Sequence, residues 1–304
     1  MGENWVTLRH SLSLLIKIRD MEIYSIPTGN FKLDGGAMFG VVPKSIWSKV
    51  YPADENNLCS WSMRCLLVVD GNRKILIDNG IGDKQDPKFL GHYHLHGEDT
   101  LKKSLAKYDL TTDEITDMVL THLHFDHTGG SIKWNEDKSA LIPAFKNAKY
   151  WVSKAQWKWA THPNNREKAS FLSENILPIQ ESGQLNIVED EGEIYPGFLL
   201  KIFNGHTDGQ MIPHITHKGK TLVFMGDLLP STAHIPLPWI MAYDTRPLLT
   251  LDEKKAFFDE AVAKDYTLFF EHDIYNECCN LQNTEKGVRL KTTFTLEEWK
   301  NSLK

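Results

Sequence analysis

The alternation of hydrophobic and polar positions in the first half of the chain predicts short strands joined by turns. Residues 65–69 and 74–78 are β-rich runs on either side of the turn Asp70-Gly71-Asn72, an arrangement typical of a hairpin. The apolar run at 118–120 predicts a buried strand that ends at a histidine-rich turn. A further strand-like stretch opens at Met21, so we expect the folded domain to begin there.

Two other segments of this half have helical character. Residues 99–108 place apolar side chains at helical spacing among lysines. Thr111, followed three residues later by Glu114, predicts a capping box for a short helix before the buried strand. From Lys149 the chain is rich in tryptophan and helical in character, and we predict an inserted helical lid at about 151–185.

The second half returns to strands, at residues 198–203, 221–225 and 267–270, with an amphipathic helix at 251–263. Each of these strands ends near a histidine or an aspartate in a turn. Strands followed by helices in both halves predict two β-rich layers flanked by helices, which is an α+β architecture. With 304 residues in total, we interpret 21–304 as a single domain and residues 1–20 as an N-terminal extension, either disordered or artefactual.

Composition and charge exclude several classes of protein. Hydrophobic residues make up 41% and charged residues 24%, which excludes a disordered, collagen-like or coiled-coil chain. The formal net charge of −6 has the wrong sign for capturing nucleic acid through its phosphates, so we expect a small uncharged or polar substrate. The apolar run at 12–16 is far shorter than a membrane span. Four scattered cysteines form no disulfide framework, and we predict a cytoplasmic protein without a membrane partner.

The residues with the clearest chemistry follow the buried strand at 118–120. Four side chains that can bind a metal fall within six positions there: His122, His124, Asp126 and His127. Alternate side chains of an extended segment share a face, so the first two can reach one ion, while the other two can bend back toward a second. Gly129 and Gly130 then permit a sharp turn into a helix beneath the site.

Further ligands must come from elsewhere, because a catalytic zinc generally has three protein ligands and one open position. The second half supplies three candidates, each just after a predicted strand: His206, Asp227 and His272. Taken singly, each is an ordinary turn residue. Taken together with the first cluster, they indicate an active site at the ends of several strands.

The order of these motifs resembles the metallo-β-lactamase superfamily of hydrolases over roughly residues 21–280. The resemblance implies a four-layer αβ/βα sandwich with two metal ions at one edge of the sheets. It also implies a ligand assignment, in which His122, His124 and His206 hold the first ion, Asp126, His127 and His272 hold the second, and Asp227 bridges them.

Finer similarity favours the branch of N-acyl homoserine lactonases and methyl parathion hydrolase, through residues 33–40 and the pair Tyr243-Asp244. Two alternatives stay open: a glyoxalase II-like thioesterase, although only about thirty residues follow His272, and an iron-bound non-hydrolytic member. One departure from the family pattern is Gln210, where a histidine is frequent, so the hydrogen bonding around the ligands is expected to differ.

The resemblance predicts a hydrolase in which a metal-bridging hydroxide opens a lactone or cleaves an ester or phosphotriester. Asp126 would orient the hydroxide or accept a proton, and Asp227 would set the spacing of the ions. Zn²⁺ is the expected metal, with Mn²⁺, Fe²⁺ and Co²⁺ also compatible with these ligands. The substrate is expected to have an apolar part.

Further predictions concern residues outside the ligand set. Five are predicted to line the substrate pocket: Met38, Phe39, His234, Trp239 and Tyr243. The alternating histidines at 92–96 are interpreted as an exposed or pocket-rim loop, and His162, His214 and His217 as residues of polar stretches without a special role. Trp157 could pack across the interface of a homodimer.

Overall fold

The computed structural model describes residues 21–304, and the predicted extension at 1–20 lies outside the described residues. In chain order the strands are β1 (Glu22–Asp34), β2 (Leu58–Asp70), β3 (Arg73–Ile77), β4 (Asp117–Val119), β5 (Ile132–Trp134), β6 (Leu141–Pro143), β7 (Lys149–Ser153), β8 (Leu185–Val188), β9 (Gly192–Tyr195), β10 (Phe198–Phe203), β11 (Gln210–His217), β12 (Lys220–Phe224), β13 (Thr267–Phe269), β14 (Cys278–Thr284) and β15 (Gly287–Phe294). The α-helices are α1 (Gly35–Phe39), α2 (Lys44–Trp47), α3 (Pro87–Gly91), α4 (Leu101–Ala106), α5 (Phe125–Thr128), α6 (Lys154–Thr161), α7 (Ser173–Glu181), α8 (Pro247–Ala263) and α9 (Leu296–Ser302).

Two large sheets organise these strands. The first has the order β1-β2-β3-β4-β7-β8, and the second has the order β15-β14-β13-β12-β11-β10-β9. In the first sheet β3, β4, β7 and β8 run parallel to one another, and in the second only β12 and β13 form a parallel pair. β5 and β6 form a separate two-stranded ribbon.

Alternation along each strand divides the apolar side chains between two faces of the sheet. In β2, Leu66 and Val68 pack between the sheets against residues such as Phe224, whereas Leu67 packs on the outer side. The outer side of the first sheet is covered by α4, α6 and α7, and that of the second by α8, which contributes Phe257. The predicted four-layer αβ/βα sandwich is therefore confirmed, because both faces of each sheet are buried.

Most elements predicted from the sequence are present, with shifted ends. The hairpin turns at Gly71, which has a φ of 60°, and Thr111 forms its capping box with Glu114. The predicted helix at 251–263 begins earlier, at Pro247, because proline is well suited to the first helical position. Within residues 21–304, no helix is both long and apolar enough to cross a membrane.

Two interpretations of the sequence are wrong at the level of single elements. The helical region placed at 151–185 does not begin at 151: β7 lies inside the first sheet, and the helix starts only after Ser153, whose side chain accepts a hydrogen bond from the Gln156 amide. His214 and His217 do not belong to a polar stretch, because both are buried in β11. There the ring of His214 packs against Tyr266.

One edge of the two sheets contains the carboxyl ends of five strands: β3, β4, β10, β12 and β13. Within each sheet these strands point the same way, because they are either parallel neighbours or separated by one antiparallel strand. Backbone hydrogen bonds join the sheets at this edge. The Ser62 amide donates to the His272 carbonyl at 3.1 Å, and the Met211 amide donates to the Thr121 carbonyl at 2.8 Å. Loops that leave these strand ends are thus held close together.

Gly129 allows a close approach at this edge that no other residue would permit. Its backbone is helical, with φ −60° and ψ −36°, so glycine is not required for the conformation that the sequence suggested. A Cβ atom at this position would lie only 1.9 Å from the carbonyl oxygen of Ile81. The residue is therefore required by packing of backbone against backbone.

We expect Gly129→Ala to lower the free energy of unfolding by about 3 kcal/mol, because the strand-end loops must separate to admit the methyl group. Gly91→Ala is the matched control, since Gly91 is also in a helix and its Cβ would meet no atom within 4 Å. Urea unfolding of both variants measures the difference. Equal unfolding midpoints would contradict the packing argument.

Candidate metal centre

The first group of converging side chains combines residues from the two halves of the chain. His122 Nε2 lies 3.0 Å from His124 Nδ1, and His206 Nε2 lies 3.3 Å from the same atom. Asp227 completes this group, with Oδ2 at 3.2 Å from His206 Nε2. We call these four residues the first ligand group. Their ligand atoms all lie within 4.8 Å of one another, so they could hold one metal ion.

A second ligand group consists of Asp126, His127 and His272. The Nε2 atoms of the two histidines are 3.1 Å apart, and each lies 3.8 Å from Asp126 Oδ2. Short segments at the strand ends place all three side chains. Asp126 and His127 belong to α5, and His272 follows β13 by three residues.

Asp227 lies between the two groups. Its Oδ2 faces His206, while its Oδ1 lies 3.1 Å from His272 Nε2. The residue is buried, and Oδ1 accepts no hydrogen bond of good geometry within the described part of the chain. A buried carboxylate that faces imidazole nitrogens of both groups, with one oxygen lacking a donor, fits a position between two cations.

The donor set fits divalent metal ions. Imidazole nitrogens 3.0–3.3 Å apart have lone pairs directed at a common volume, which is favourable when a cation occupies that volume. Imidazole and carboxylate ligands suit Zn²⁺ and also other divalent first-row metals. The predicted cluster is thus assembled in space, with all seven predicted side chains in the two groups.

The outward nitrogens of the histidines are held by hydrogen-bonding partners. His206 Nδ1 lies 2.9 Å from Asp244 Oδ1, and His272 Nδ1 lies 2.8 Å from the Ser62 carbonyl oxygen. His127 Nδ1 lies 3.0 Å from one carboxylate oxygen each of Asp78 and Glu271. Such partners fix the orientation of a ligand and the position of its proton.

The electrostatics around the second ligand group favour positive charge. Burial lowers the pKa of His272, but the carboxylates of Asp227 and Glu271 outweigh it and raise the pKa to about 9. Burial likewise opposes a charge on His127, yet Glu271 and Asp126 raise its pKa well above the usual value. Burial raises the pKa of Glu271 itself to about 8. The same negative potential that retains protons would stabilise divalent cations.

A cavity of about 320 Å³ opens over the two groups, and His124, Asp126, His206, Asp227 and His272 lie on its floor. Its walls contain the apolar side chains Leu33, Met38, Phe125 and Met241, together with Tyr93, Arg166 and Tyr243. A metal-binding floor beneath a largely apolar wall is the arrangement expected of a small-molecule site.

The structure places two of the five predicted pocket residues at the cavity. Met38 and Tyr243 line the cavity. Phe39 and His234 do not, because both are buried and their rings stack at 4.6 Å, with His234 Nε2 at 2.9 Å from the Met38 carbonyl oxygen. Trp239 packs edge-on against Phe39 instead of lining the cavity. These three residues support the cavity wall from behind.

Comparison with known proteins agrees with this geometry. The family model of the metallo-beta-lactamase superfamily matches residues 64–272. The chain belongs to this superfamily. As a member of it, the protein is a metal-dependent hydrolase, and its clusters of histidine and aspartate side chains support the binding of divalent metal ions.

Individual members of the superfamily are similar over most of the chain. An N-acyl homoserine lactonase of Bacillus thuringiensis is 25% identical over 271 residues, which cover 84% of this chain and 94% of that one. A probable metal-dependent hydrolase from Staphylococcus aureus is 32% identical, with a TM-score of 0.83 and coverage of 93% and 99%. The dizinc quorum-quenching lactonase AidC shares the fold at 19% identity and a TM-score of 0.74, with coverage of 92% and 97%.

Several residues of this metallo-beta-lactamase centre escaped the sequence reasoning. Asp78 and Glu271 contact His127 Nδ1. Their positions in the sequence could have identified them, because Asp78 directly follows β3 and Glu271 directly precedes the predicted ligand His272. Tyr93 lies in the histidine-containing loop that was interpreted as a rim, and it does line the cavity. Gln210 is buried outside both ligand groups, with neither side-chain polar atom hydrogen-bonded within residues 21–304.

The two ligand groups predict a specific pattern of metal loss. We expect two tightly bound zinc ions per chain in the natural protein and one in His206→Ala or His272→Ala, because each substitution removes a ligand of one group only. Asp227→Ala is expected to weaken both ions. Equilibrium dialysis with elemental analysis measures the stoichiometry, and circular dichroism controls for the fold. Two ions retained in Asp227→Ala at natural affinity would refute the shared position of this carboxylate.

Proposed function

We propose that the protein is a dinuclear zinc-dependent lactonase that opens the ring of N-acyl homoserine lactones. The observation that carries this proposal is the pair of ligand groups sharing Asp227 on the floor of an apolar-walled cavity. The lactonase from Bacillus thuringiensis, similar along 84% of the chain, supports the choice of substrate. Aryl esters and phosphotriesters are the other substrates compatible with this centre.

The proposed ligand assignment follows the geometry. His122, His124 and His206 would hold one ion and Asp126, His127 and His272 the other, while Asp227 faces histidines of both groups. When bound, divalent ions at such a site activate water as a nucleophile and polarise the substrate carbonyl. AidC is described as a dizinc enzyme, which supports zinc as the metal.

Asp126 is the residue we propose for proton transfer. Asp126 lines the cavity and only 8% of the residue is exposed, so its carboxylate lies beside the volume that a substrate would occupy. A carboxylate there can accept a proton from the attacking water and return it to the oxygen that leaves the opened ring. Asp227 contributes differently, because its two oxygens face one histidine from each ligand group and so fix the spacing between the groups.

Tyr93 and Tyr243 are proposed to bind the polar part of the substrate. Both line the cavity, and neither hydroxyl group has a hydrogen-bond partner within residues 21–304. Burial and the charge of Asp126 raise the pKa of each phenol to about 12, so both are protonated donors at neutral pH. Protonated donors beside the reacting centre can stabilise negative charge that develops on a substrate oxygen.

The apolar wall is proposed to bind the acyl chain. Four apolar side chains line the cavity around the metal-binding floor: Leu33, Met38, Phe125 and Met241. Methionine side chains adapt to ligands of different shape, so this wall suits a flexible hydrocarbon chain better than one rigid group. Substrates with an acyl chain are therefore expected to be preferred over unsubstituted lactones.

The first test of this function is acid release from a long-chain N-acyl homoserine lactone by zinc-loaded protein, since ring opening forms a carboxylic acid. We expect turnover that disappears with a chelator and returns with zinc. Asp227→Ala, purified in the same way, is expected to be inactive. Normal zinc binding without turnover of any acyl lactone would overturn the lactonase assignment and direct the search to aryl esters and phosphotriesters.

The proposed phenol donors predict a second result. Tyr93→Phe and Tyr243→Phe are each expected to lower kcat/KM about tenfold, because a hydrogen bond to the substrate is lost while zinc binding is unchanged. Tyr275→Phe is the matched control, since this tyrosine is largely exposed and lies outside the cavity lining. Steady-state kinetics on one acyl lactone compares the three variants. Wild-type kcat/KM in both cavity variants would exclude the donor role.

A further inference from the structure

His124 is oriented differently from the other four histidines of the ligand groups. His122, His127, His206 and His272 direct Nε2 toward the shared volume, whereas His124 directs Nδ1. The outward atom of His124 is therefore Nε2, which lies 3.4 Å from Oε1 of Glu167. This carboxylate is the outer partner of His124, as Asp244 is for His206.

Glu167 lies outside the two sheets, unlike three of the other outer partners. Asp78, Thr121 and Ser62 belong to the sheets or directly follow their strands. Glu167 instead lies in the connection between α6 and α7, residues 162–172, which we call the lid segment. His124 is thus oriented by a segment outside both sheets, as His206 is by Asp244 in the connection between β12 and α8.

The position of Glu167 is well defined. Its side chain is only 4% exposed, and its Oε2 accepts hydrogen bonds from Trp159 Nε1 at 2.5 Å and from Asn164 Nδ2 at 2.7 Å. Both donors belong to α6 or the lid segment. The carboxylate therefore has one oxygen fixed within the lid region and the other directed at His124.

Two more contacts join the lid segment to the metal-binding loop. The Phe125 amide donates to the Ser170 carbonyl oxygen at 3.0 Å, and the Phe171 ring lies 4.8 Å from the His124 ring. Arg166 extends from the same segment across the cavity and donates to the Ala242 carbonyl. The lid segment thus contacts a ligand histidine on one side and lines the substrate cavity on the other.

We propose that Glu167 is a positioning residue that couples metal binding by the first ligand group to placement of the lid segment over the cavity. A cation bound at His124 Nδ1 requires the proton of this imidazole to be on Nε2, where it donates to the Glu167 carboxylate. Coupling between two equilibria is reciprocal, so metal stabilises the lid position and the lid carboxylate strengthens metal binding. The inference rests on the metal assignment proposed above and not on the identity of the substrate.

Glu167→Gln is the sharpest test, because glutamine keeps an oxygen for the Trp159 and Asn164 donors and loses the negative charge facing His124. Zinc affinity is measured by chelator competition. We expect one of the two ions to bind about 10- to 100-fold more weakly, while the other is unchanged. Glu181→Gln, an exposed position at the end of α7, removes the same charge and is expected to bind both ions normally.

Hydrogen exchange of the backbone amides provides a readout that is independent of activity. In the natural protein, zinc is expected to slow exchange in the lid segment, and in Glu167→Gln this protection should be largely lost. Trp159→Phe removes one donor to Glu167 and keeps an aromatic ring, so it should give an intermediate effect on both measurements. If glutamine disturbs the fold, Trp159→Phe still tests the coupling.

Zinc affinity and lid protection equal to those of Glu181→Gln in both variants would overturn the coupling. A natural protein that binds no zinc would overturn this inference together with the proposed function. Zinc binding without lactone turnover would overturn only the substrate assignment, because the affinity and exchange measurements need no substrate. The two failures are therefore distinguishable.

Discussion

Burial of many ligand atoms in one small volume is the physical condition to which the rest of the structure responds. Five imidazoles and two carboxylates meet at the edge of the sheets, and none of these side chains is more than 8% exposed. Polar groups removed from water without partners are costly, so such a cluster is stable only where a second set of groups and a positive charge compensate. The partners at Asp78, Asp244 and the Ser62 carbonyl supply the first part, and divalent cations supply the second.

The two-sheet architecture supplies the rigidity that this condition requires. Ligand segments leave neighbouring strands at the same edge, and backbone hydrogen bonds such as that from the Met211 amide to the Thr121 carbonyl join the sheets there. Because these segments are only a few residues long, the positions of the ligands follow closely from the positions of the strands. The packing of Gly129 against Ile81 shows how closely these segments approach, since a single added methyl group would overlap a backbone oxygen.

Sequence reasoning identified this part of the site because its signals are local. A ligand that follows a strand within a few residues is visible as a polar residue just after an apolar run, and His122, His206 and His272 each lie three residues beyond a strand end. The lid and the cavity were predicted less well, since they depend on contacts between distant segments. Glu167 meets His124 across 43 positions, and the wrong assignment of Phe39 and His234 arose because a stacked supporting ring and a pocket ring have the same sequence signature. The helix start after Ser153 was missed in a tryptophan-rich run whose spacing did not separate strand from helix.

The ligand cluster and the cavity wall come largely from different segments, and this determines how substrate specificity and metal binding are related. Part of the cavity wall comes from segments outside the sheets, represented by Met38, Tyr93 and Met241, so replacement of these residues can alter the substrate without moving a ligand. The lid segment is different, because Arg166 lines the cavity while its neighbour Glu167 contacts His124. A change that moves this segment to admit a larger substrate also changes the support of one ligand histidine. Substrate range and metal affinity are therefore linked through the lid, and they are separable at Met38, Tyr93 and Met241.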